Sequence, residues 1–417
     1  MSKTPLFIRI ARPTYGKWLN ARNRVRTAGY DLLPKQGPYL ILANHTHALD
    51  PFFISSSLSV HVRWVAGAYL FKNQFINMML GRWIGGIAKQ QGRSDLQTIR
   101  DISTAFKNQE IVGLFPEGTR TWDGEPVGFD MATAKLVRIF GVPVVLMNIE
   151  GGYAQRPRWA RYRRRGEITL RVVEVVDPAR LKRMPVAEIL ALLQDRLYFS
   201  HSAWQEKRRL GFPSSRRAEG LEKLLYLCPS CKQASTMVTE GARVRCSACQ
   251  FTCELDDYDH VTVLSKEPHG IDSIPAWHNW ERDELARIAF EGCNSGASGV
   301  NQSPFPPDPG VLLQRGIGKK LVTLSKRFTL TLESDCLRVR LQKPIARGPE
   351  QGESELEFSF SGMQSMIINA KSTVEFYHND QLWRIRIVPD RSILKYVEFH
   401  TARMLQEKES LARKEVT

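Results

Sequence analysis

Tyr39-Leu40-Ile41-Leu42-Ala43-Asn44-His45-Thr46-His47-Ala48-Leu49-Asp50-Pro51 is the stretch on which the reading of this chain turns. Five apolar residues without polar alternation predict a strand buried on both faces. The polar residues after it leave the strand, and Asp50-Pro51 predicts a helix start, with the aspartate as N-cap and proline at the first helical position. Were residues 45 to 50 all helical, five steps would turn roughly 500° and set His45 and Asp50 on different faces. In a strand-to-helix loop the imidazole can instead reach back to the carboxylate. Such a pair suits a general base, because the carboxylate fixes the imidazole tautomer and stabilises the imidazolium as a proton arrives. A capped helix beside a structural histidine has the same local pattern, so the pair needs support from elsewhere.

Outward from this stretch, Ile111 to Phe115, Val142 to Leu146 and Ile168 to Val176 read as further buried strands, while Pro51 to Leu58, Leu96 to Lys107 and Met131 to Phe140 fit helices. That alternation predicts a mixed α/β sheet layered by helices. Directly after the second strand comes Phe115-Pro116-Glu117-Gly118-Thr119-Arg120. It places a carboxylate, a glycine, a hydroxyl and a guanidinium at a strand's carboxyl end, where α/β sheets bind ligands. Arginine can grip a phosphate by two parallel hydrogen bonds.

A His and an Asp separated by four residues, followed by Phe-Pro-Glu-Gly-Thr-Arg, resemble the motifs of the glycerol-phosphate and lysophosphatidate (1-acylglycerol-3-phosphate) O-acyltransferase family, over about residues 25 to 180. The resemblance implies that His45 and Asp50 are the catalytic pair. It further implies that Arg93, in Gln91-Gly92-Arg93-Ser94, binds the acceptor phosphate together with Glu117, Gly118, Thr119 and Arg120. Val142-Pro143-Val144-Val145 looks like the family's fourth block. One departure is Gly128-Phe129-Asp130-Met131, where the family commonly has a lysine-containing turn. An acyl-CoA or acyl carrier protein thioester is the implied donor and a lysophospholipid the implied acceptor. His47 reads as a spacer or substrate-side residue, and no Ser or Cys sits in a nucleophile elbow, so direct transfer to the hydroxyl is expected.

The 417-residue chain carries a formal net charge of +16, with 42% hydrophobic and 24% charged residues, an ordinary globular composition with a bias towards polyanions. No apolar run approaches the roughly 18 residues that cross a bilayer, and the opening segment is too short for a signal-peptide core. A cytoplasmic protein, peripheral on the cytosolic face of a membrane, is therefore expected. Phe7, Ile8, Ile10, Tyr15, Trp18 and Leu19 recur at helical spacing among arginines, which suits either an interfacial helix or a domain-packing helix with a solvated basic face. Six arginines between Arg156 and Arg165, around Trp159 and Tyr162, suit an anionic bilayer surface. Leu70 to Ile87, with Phe71, Phe75, Met78, Met79, Leu80 and Trp83, reads as a wall for an acyl chain or as ordinary core.

Cys228-Pro-Ser-Cys231 and Cys246-Ser-Ala-Cys249 are two Cys-x-x-Cys knuckles, a pattern suited to a structural, tetrahedral zinc in a ribbon. Cys253, Cys293 and Cys336 look like unremarkable thiols. Residues from Cys293 to Pro309, rich in Gly, Ser, Asn and Pro, read as a linker. Beyond it Leu321 to Leu332, Leu337 to Leu341, Leu356 to Phe360, Met366 to Ile368, Val374 to Tyr377 and Trp383 to Ile387 read as strands, and Ile393 to Leu405 as one closing helix. This pattern resembles a pleckstrin-homology or GRAM-like barrel. The expected organisation is an acyltransferase domain at 1–205, a basic helical connector at 206–225, a zinc ribbon at 226–256, a helix and flexible linker at 257–310 and the mostly β domain at 311–410.

Two function classes fit the charge and the ribbon. One is a membrane-surface acyltransferase with possible protein partners for its ribbon or C-terminal domain. The other is a nucleic-acid-binding or scaffold protein with a degenerate enzyme domain. The ribbon is only modestly basic and the second reading leaves His45, Asp50 and Glu117 to coincidence, so the acyltransferase is favoured and nucleic acid disfavoured.

Overall fold

The computed structural model of the chain describes residues 4–72, 77–89, 96–265, 270–294, 303, 305–318, 320–346 and 348–416. The chain divides into two compact units, the first formed by Met1–Arg158 with Tyr162–Ser214, the second by Trp159–Arg161 with Ser215–Thr417.

In the first unit, strands β1 (Val25–Ala28), β2 (Tyr39–Ala43), β3 (Val62–Gly67), β4 (Ile87–Lys89), β5 (Ile111–Leu114), β6 (Val144–Glu150) and β7 (Ile168–Val176) form one sheet in the order β1-β7-β6-β2-β5-β3-β4. Pairing is parallel except for the antiparallel β6–β7 pair, so the sheet is mixed, as expected. β2 lies centrally and every one of its residues is buried. Alternate side chains serve opposite layers: Leu40 and Leu42 pack with Ile102, Phe106, Val137 and Leu193, while Tyr39, Ile41 and Ala43 pack with Leu19, Phe53 and Ile54. Helices Leu96–Lys107, Met131–Phe140 and Val186–Leu197 supply the first layer.

β1, β3 and β4 are additions to the four strands expected from the sequence. β4 has only three residues, β1 is half polar with an edge position, and β3 is interrupted by Arg63, so none carries the unbroken apolar run that marks β2. Met131–Phe140 is capped by Asp130, whose carboxylate accepts the Ala132 N–H at 3.0 Å, and it ends on Gly141 at φ 59°. The departure at Gly128 to Met131 is thus a helix start.

The segment Arg156 to Arg165 forms the exposed basic and aromatic surface expected only in part. Trp159 is 0% exposed, Arg164 2% and Arg158 4%, leaving Arg156, Arg161, Tyr162 and Arg165 as its outward residues. The physical reason lies in hydrogen bonding: Arg158 turns inward onto neutral acceptors, and the Arg164 backbone N–H donates to the Gln155 carbonyl at 2.8 Å.

In the second unit β8 (Met237–Glu240), β9 (Arg243–Cys246), β10 (Thr252–Leu255) and β11 (Val261–Val263) form an antiparallel sheet in the order β11-β10-β9-β8. Residues 206–225, expected as a helical connector, are helical only to Arg208 and at Leu221–Lys223, and Ala218 to Cys228 are buried.

Beyond helix Ile274–Asn294 come β12 (Asp308–Ile317), β13 (Lys320–Ser325), β14 (Phe328–Leu332), β15 (Cys336–Leu341), β16 (Glu355–Ser359), β17 (Met363–Ala370), β18 (Thr373–His378) and β19 (Gln381–Ile387). They pair antiparallel in the order β16-β15-β14-β12-β19-β18-β17, with β13 on β12. Among the described residues this pairing does not close into a barrel. Leu321 to Leu332, expected as one strand, is broken by a turn at Lys326-Arg327 into β13 and β14, and β12 begins inside the expected linker. Residues 295–302 and 304 of that linker lie outside the described residues. Helix Leu394–Val416 follows the strands.

Candidate functional site

The carboxyl ends of β2 and β5, parallel neighbours, bring the two motifs together. At the end of β2, Asn44 clamps the strand to β6: its side-chain oxygen accepts the Ile149 N–H at 2.7 Å and its amide donates to the Ile149 carbonyl at 3.3 Å. The chain then turns through His45, whose backbone N–H donates to Glu117 Oε2 at 3.2 Å and whose carbonyl accepts the Thr121 N–H at 3.1 Å.

His45 Nδ1 lies 2.9 Å from Asp50 Oδ2. The same oxygen accepts the backbone N–H groups of Thr46 and His47, both at 2.8 Å. Asp50 is therefore not the helix N-cap expected from Asp-Pro. It is the first residue of helix Asp50–Ser57, Leu49 occupies the cap position, and the carboxylate faces back into the loop. Taking a carboxylate fully out of water costs several kcal/mol unless hydrogen bonds replace the lost hydration. Asp50 is 0% exposed, so the three donors ahead of the helix outweigh a capping role.

With Nδ1 carrying the proton towards Asp50, the Nε2 lone pair of His45 is the basic one. The His45 side chain keeps 20% of its surface accessible and its ring stacks on Phe115 at 4.1 Å between centroids, with Phe115 in turn stacked on Trp64 at 4.9 Å. Burial lowers the imidazole pKa below its ordinary value, and the Asp50 hydrogen bond and charge oppose that while Arg120 and Arg158 reinforce it. His47 is 1% exposed, its Nδ1 accepts the Leu49 N–H at 3.0 Å, and burial holds it down to about 4. It serves the loop's own geometry, with no second base in view.

Glu117 and Gly118 occupy the turn after β5, with Gly118 at φ 69° and open space around the place a Cβ would take. Burial, aided by the nearby Asp50 charge, pushes the Glu117 carboxyl up to about 8, so at neutral pH it is mostly protonated. Thr119 Oγ accepts a hydrogen bond at 2.7 Å from Arg158, a residue that motif reading passes over because it lies 39 positions away. Arg93 and Phe75 lie outside the described residues.

In the second unit, Cys228 Sγ lies 3.5 Å from Cys249 Sγ and Cys231 Sγ 3.8 Å from Cys246 Sγ, with all four sulfurs within 4.8 Å of one another. A tetrahedron of sulfurs about 2.3 Å from a zinc ion has edges of about 3.8 Å, so the four thiols fit that metal. Backbone N–H groups of Ser230 and Cys231 face the Cys228 sulfur, but burial outweighs them and holds that thiol above its ordinary value, whereas Cys246, against its own burial, is brought down to about 7 by Thr236 and the N–H groups of Cys249 and Ala248. Cys253 is 0% exposed in β10, its thiol pushed up to about 12 by burial, and is not part of the cluster.

Residues 24–150 match the Acyltransferase family. The chain is 23% identical over 180 residues to the 1-acyl-sn-glycerol-3-phosphate acyltransferase of Bacillus subtilis, covering 43% of this chain and 87% of that protein. It is 23% identical over 186 residues to a putative 1-acyl-sn-glycerol-3-phosphate acyltransferase of Caenorhabditis elegans, covering 43% and 64%. Over 141 residues it is 27% identical to the enzyme of that name from Borreliella burgdorferi, covering 31% and 54%. Among solved structures it is similar to the 1-acyl-sn-glycerophosphate acyltransferase PlsC of Thermotoga maritima, at 24% identity and a TM-score of 0.41 over 48% of this chain and 79% of that one. Residues 24–150, all within the first unit, thus match an acyltransferase domain. That unit is similar to 1-acylglycerol-3-phosphate acyltransferases, and the second unit lies outside the residues matched to that family.

Proposed function

We propose that the chain moves a fatty acyl group from a thioester donor, acyl-CoA or acyl carrier protein, to the free hydroxyl of 1-acylglycerol 3-phosphate, giving phosphatidic acid. The observation that carries this reading is the His45–Asp50 bond at 2.9 Å, on a loop whose His45 backbone N–H is bound by Glu117 of the Glu117–Arg120 turn. His45 Nε2 takes the acceptor hydroxyl proton as the oxygen attacks the thioester carbonyl. Collapse of the tetrahedral intermediate breaks the carbon–sulfur bond, and the imidazolium returns its proton to the leaving thiolate. Arg120, with Arg93, binds the acceptor phosphate.

The enzyme works at an anionic membrane surface on the cytosolic side. Leu6 (70% exposed), Ile10 (59%), Tyr15 (57%) and Trp18 (54%) are outward apolar groups on helical segments Leu6–Ala11, Arg12–Gly16 and Lys17–Arg22, among the exposed Arg9, Lys17 and Arg22. That mixture supports lipid contact by apolar insertion and headgroup attraction. Among the described residues no helix is long and apolar enough to cross a membrane. Phe7 meets Trp83 at 5.3 Å, which favours an acyl-chain wall near Met78–Trp83. In the second unit, Cys228, Cys231, Cys246 and Cys249 hold a structural zinc, and the C-terminal strands with helix Leu394–Val416 form a pleckstrin-homology or GRAM-like module.

The test is acyl transfer from labelled acyl-CoA to 1-acylglycerol 3-phosphate on anionic vesicles, comparing the native chain with His45→Ala. General base catalysis contributes about 10² to 10⁴ in rate, so the variant should lose that much. Because burial holds the imidazole pKa down, native activity should persist at neutral pH and fall only on the acid side of the ordinary imidazole value. Transfer by neither form, with acyl carrier protein donors and other lysophospholipids also tried, would sink the proposal.

A further inference from the structure

We infer that Arg158 is a positioning residue of the acyl-transfer site, clamping the Glu117–Arg120 turn from the segment that follows β6. The inference rests on the acyltransferase reading of that site. Arg158 comes after the short helix Gly152–Gln155 and is 4% exposed. One guanidinium nitrogen donates to both Thr119 Oγ, at 2.7 Å, and the Arg120 carbonyl, at 3.2 Å. The guanidinium carbon sits 4.4 Å from the centroid of the Trp122 ring, and Trp122 is itself 9% exposed.

These contacts bracket the turn. Glu117 Oε2 ties its beginning to the His45 backbone, the Thr121 N–H ties its end to the His45 carbonyl, and Arg158 holds Thr119 and Arg120 between them. Gly118 has a left-handed backbone, and its N–H donates to the Phe115 carbonyl at 3.2 Å. A planar fork over an aromatic face, with hydrogen bonds to a hydroxyl and a carbonyl, restrains the turn in orientation as well as position. Where Arg120 aims, and hence where an acceptor phosphate sits relative to His45, depends on that restraint.

Arg158 also adds fixed positive charge near the base. The groups facing His45 are Asp50 from its helix, Glu117 and Arg120 from the turn after β5, and Arg158 from beyond β6, with Phe115 stacked on the ring. Asp50 favours the imidazolium, whereas Arg120 and Arg158 disfavour it. Removing one cation therefore raises the pH at which His45 loses its proton, and the acid limb of the rate profile moves up with it.

The experiment measures kcat and acceptor KM for the full native chain, Arg158→Lys, Arg158→Met and Thr119→Val, from about pH 5 to 9, alongside a histidine NMR titration of His45. Misplacing a reacting group by about 1 Å costs about 10²-fold, so Arg158→Met should lose about that factor in kcat, with its acid limb and its His45 titration both moved to higher pH. Arg158→Lys restores the charge without the fork: its titration should match the native chain while kcat stays reduced. Thr119→Val should likewise lower kcat and leave the titration in place.

Native kcat in both Arg158→Lys and Arg158→Met would overturn the inference, as would a raised acceptor KM with unchanged kcat, which marks a simple phosphate ligand. If Arg158→Met does not fold, the lysine and Thr119→Val chains decide, and native kcat in both overturns the clamp. If the native chain transfers no acyl group, the reaction fails on its own. The NMR titration still judges Arg158: a His45 shift in Arg158→Met absent from Arg158→Lys supports its place at the site, and no shift in either overturns it.

Discussion

The His45 loop and the Cys228–Cys249 ribbon are both short polar segments at strand ends, yet opposite means hold them. The loop hangs from β2, between two apolar layers that bury Leu40, Leu42, Leu146 and Val137 on one side and Ile41, Phe53, Ile54 and Met147 on the other. Its polar groups then only have to satisfy one another. The ribbon has little interior of its own, with Val244, Phe251, Cys253 and Leu255 among its buried apolar residues. Its four thiols cluster together, and neighbours in the same unit hold it: Glu281 accepts the Leu227 N–H at 2.6 Å, Trp277 Nε1 donates to the Leu227 carbonyl at 3.1 Å, and Lys395 Nζ donates to Ser235 Oγ at 3.0 Å. A polar loop on a large core is organised by burial, whereas a small module with little core calls for cross-linking.

Removing the cross-link should have the largest effect. Structural zinc contributes on the order of 10 kcal/mol or more to small domains of this kind, more than the ribbon's few buried residues can replace. Cys228→Ser with Cys231→Ser should abolish binding of about one zinc per chain and strip residues 226–263 of hydrogen-exchange protection, with acyl transfer retained. Metal analysis beside exchange mass spectrometry checks this. Transfer that disappears with the metal would break the contrast between the two regions.

Asp50→Ala comes next. It leaves the Thr46 and His47 N–H groups without their acceptor, at about 1–3 kcal/mol each, and frees the His45 tautomer. Activity should fall about 10²- to 10⁴-fold and the denaturation midpoint of the first unit should drop, whereas Asp50→Asn, which keeps an acceptor oxygen, should lose activity with a smaller loss of stability. An Asp50→Ala chain of native stability would show that apolar packing alone orders the loop.

The third test concerns Glu117, where the pH dependence of stability and not activity is read. Its folded pKa of about 8 lies above the ordinary carboxyl value. The folded state therefore holds a proton that the unfolded chain releases, and stability present below the unfolded value is lost as pH rises through about 8. Between about pH 5 and 9 the thermal midpoint of the native chain should decline more steeply than that of Glu117→Gln. Parallel curves would mean that the carboxyl is not held neutral.

Much of the first unit was legible because long apolar runs declare buried strands: Tyr39 to Ala43 and Ile168 to Val176 are strands almost to the residue. Val62–Gly67 and Val25–Ala28 were not, since each is completed by parallel partners distant in sequence. In the second unit, β12 was hidden by Pro309, Gly310 and Gly316, which read as loop until β14 and β19 pair on either side of it. The cysteine knuckles were legible because their spacing is local.

By itself the sequence determined the chemistry on offer: a histidine and an aspartate five positions apart after a buried strand, a Glu-Gly-Thr-Arg turn after another, and four cysteines in two pairs. Only the tertiary structure decided how those groups are used. It turned the Asp50 carboxylate away from its helix, raised the Glu117 pKa, drew Arg158 inward, and buried Trp159 where an exposed surface was expected. Each of these outcomes depends on desolvation and on partners remote along the chain, and neither quantity is a property of any local stretch of residues.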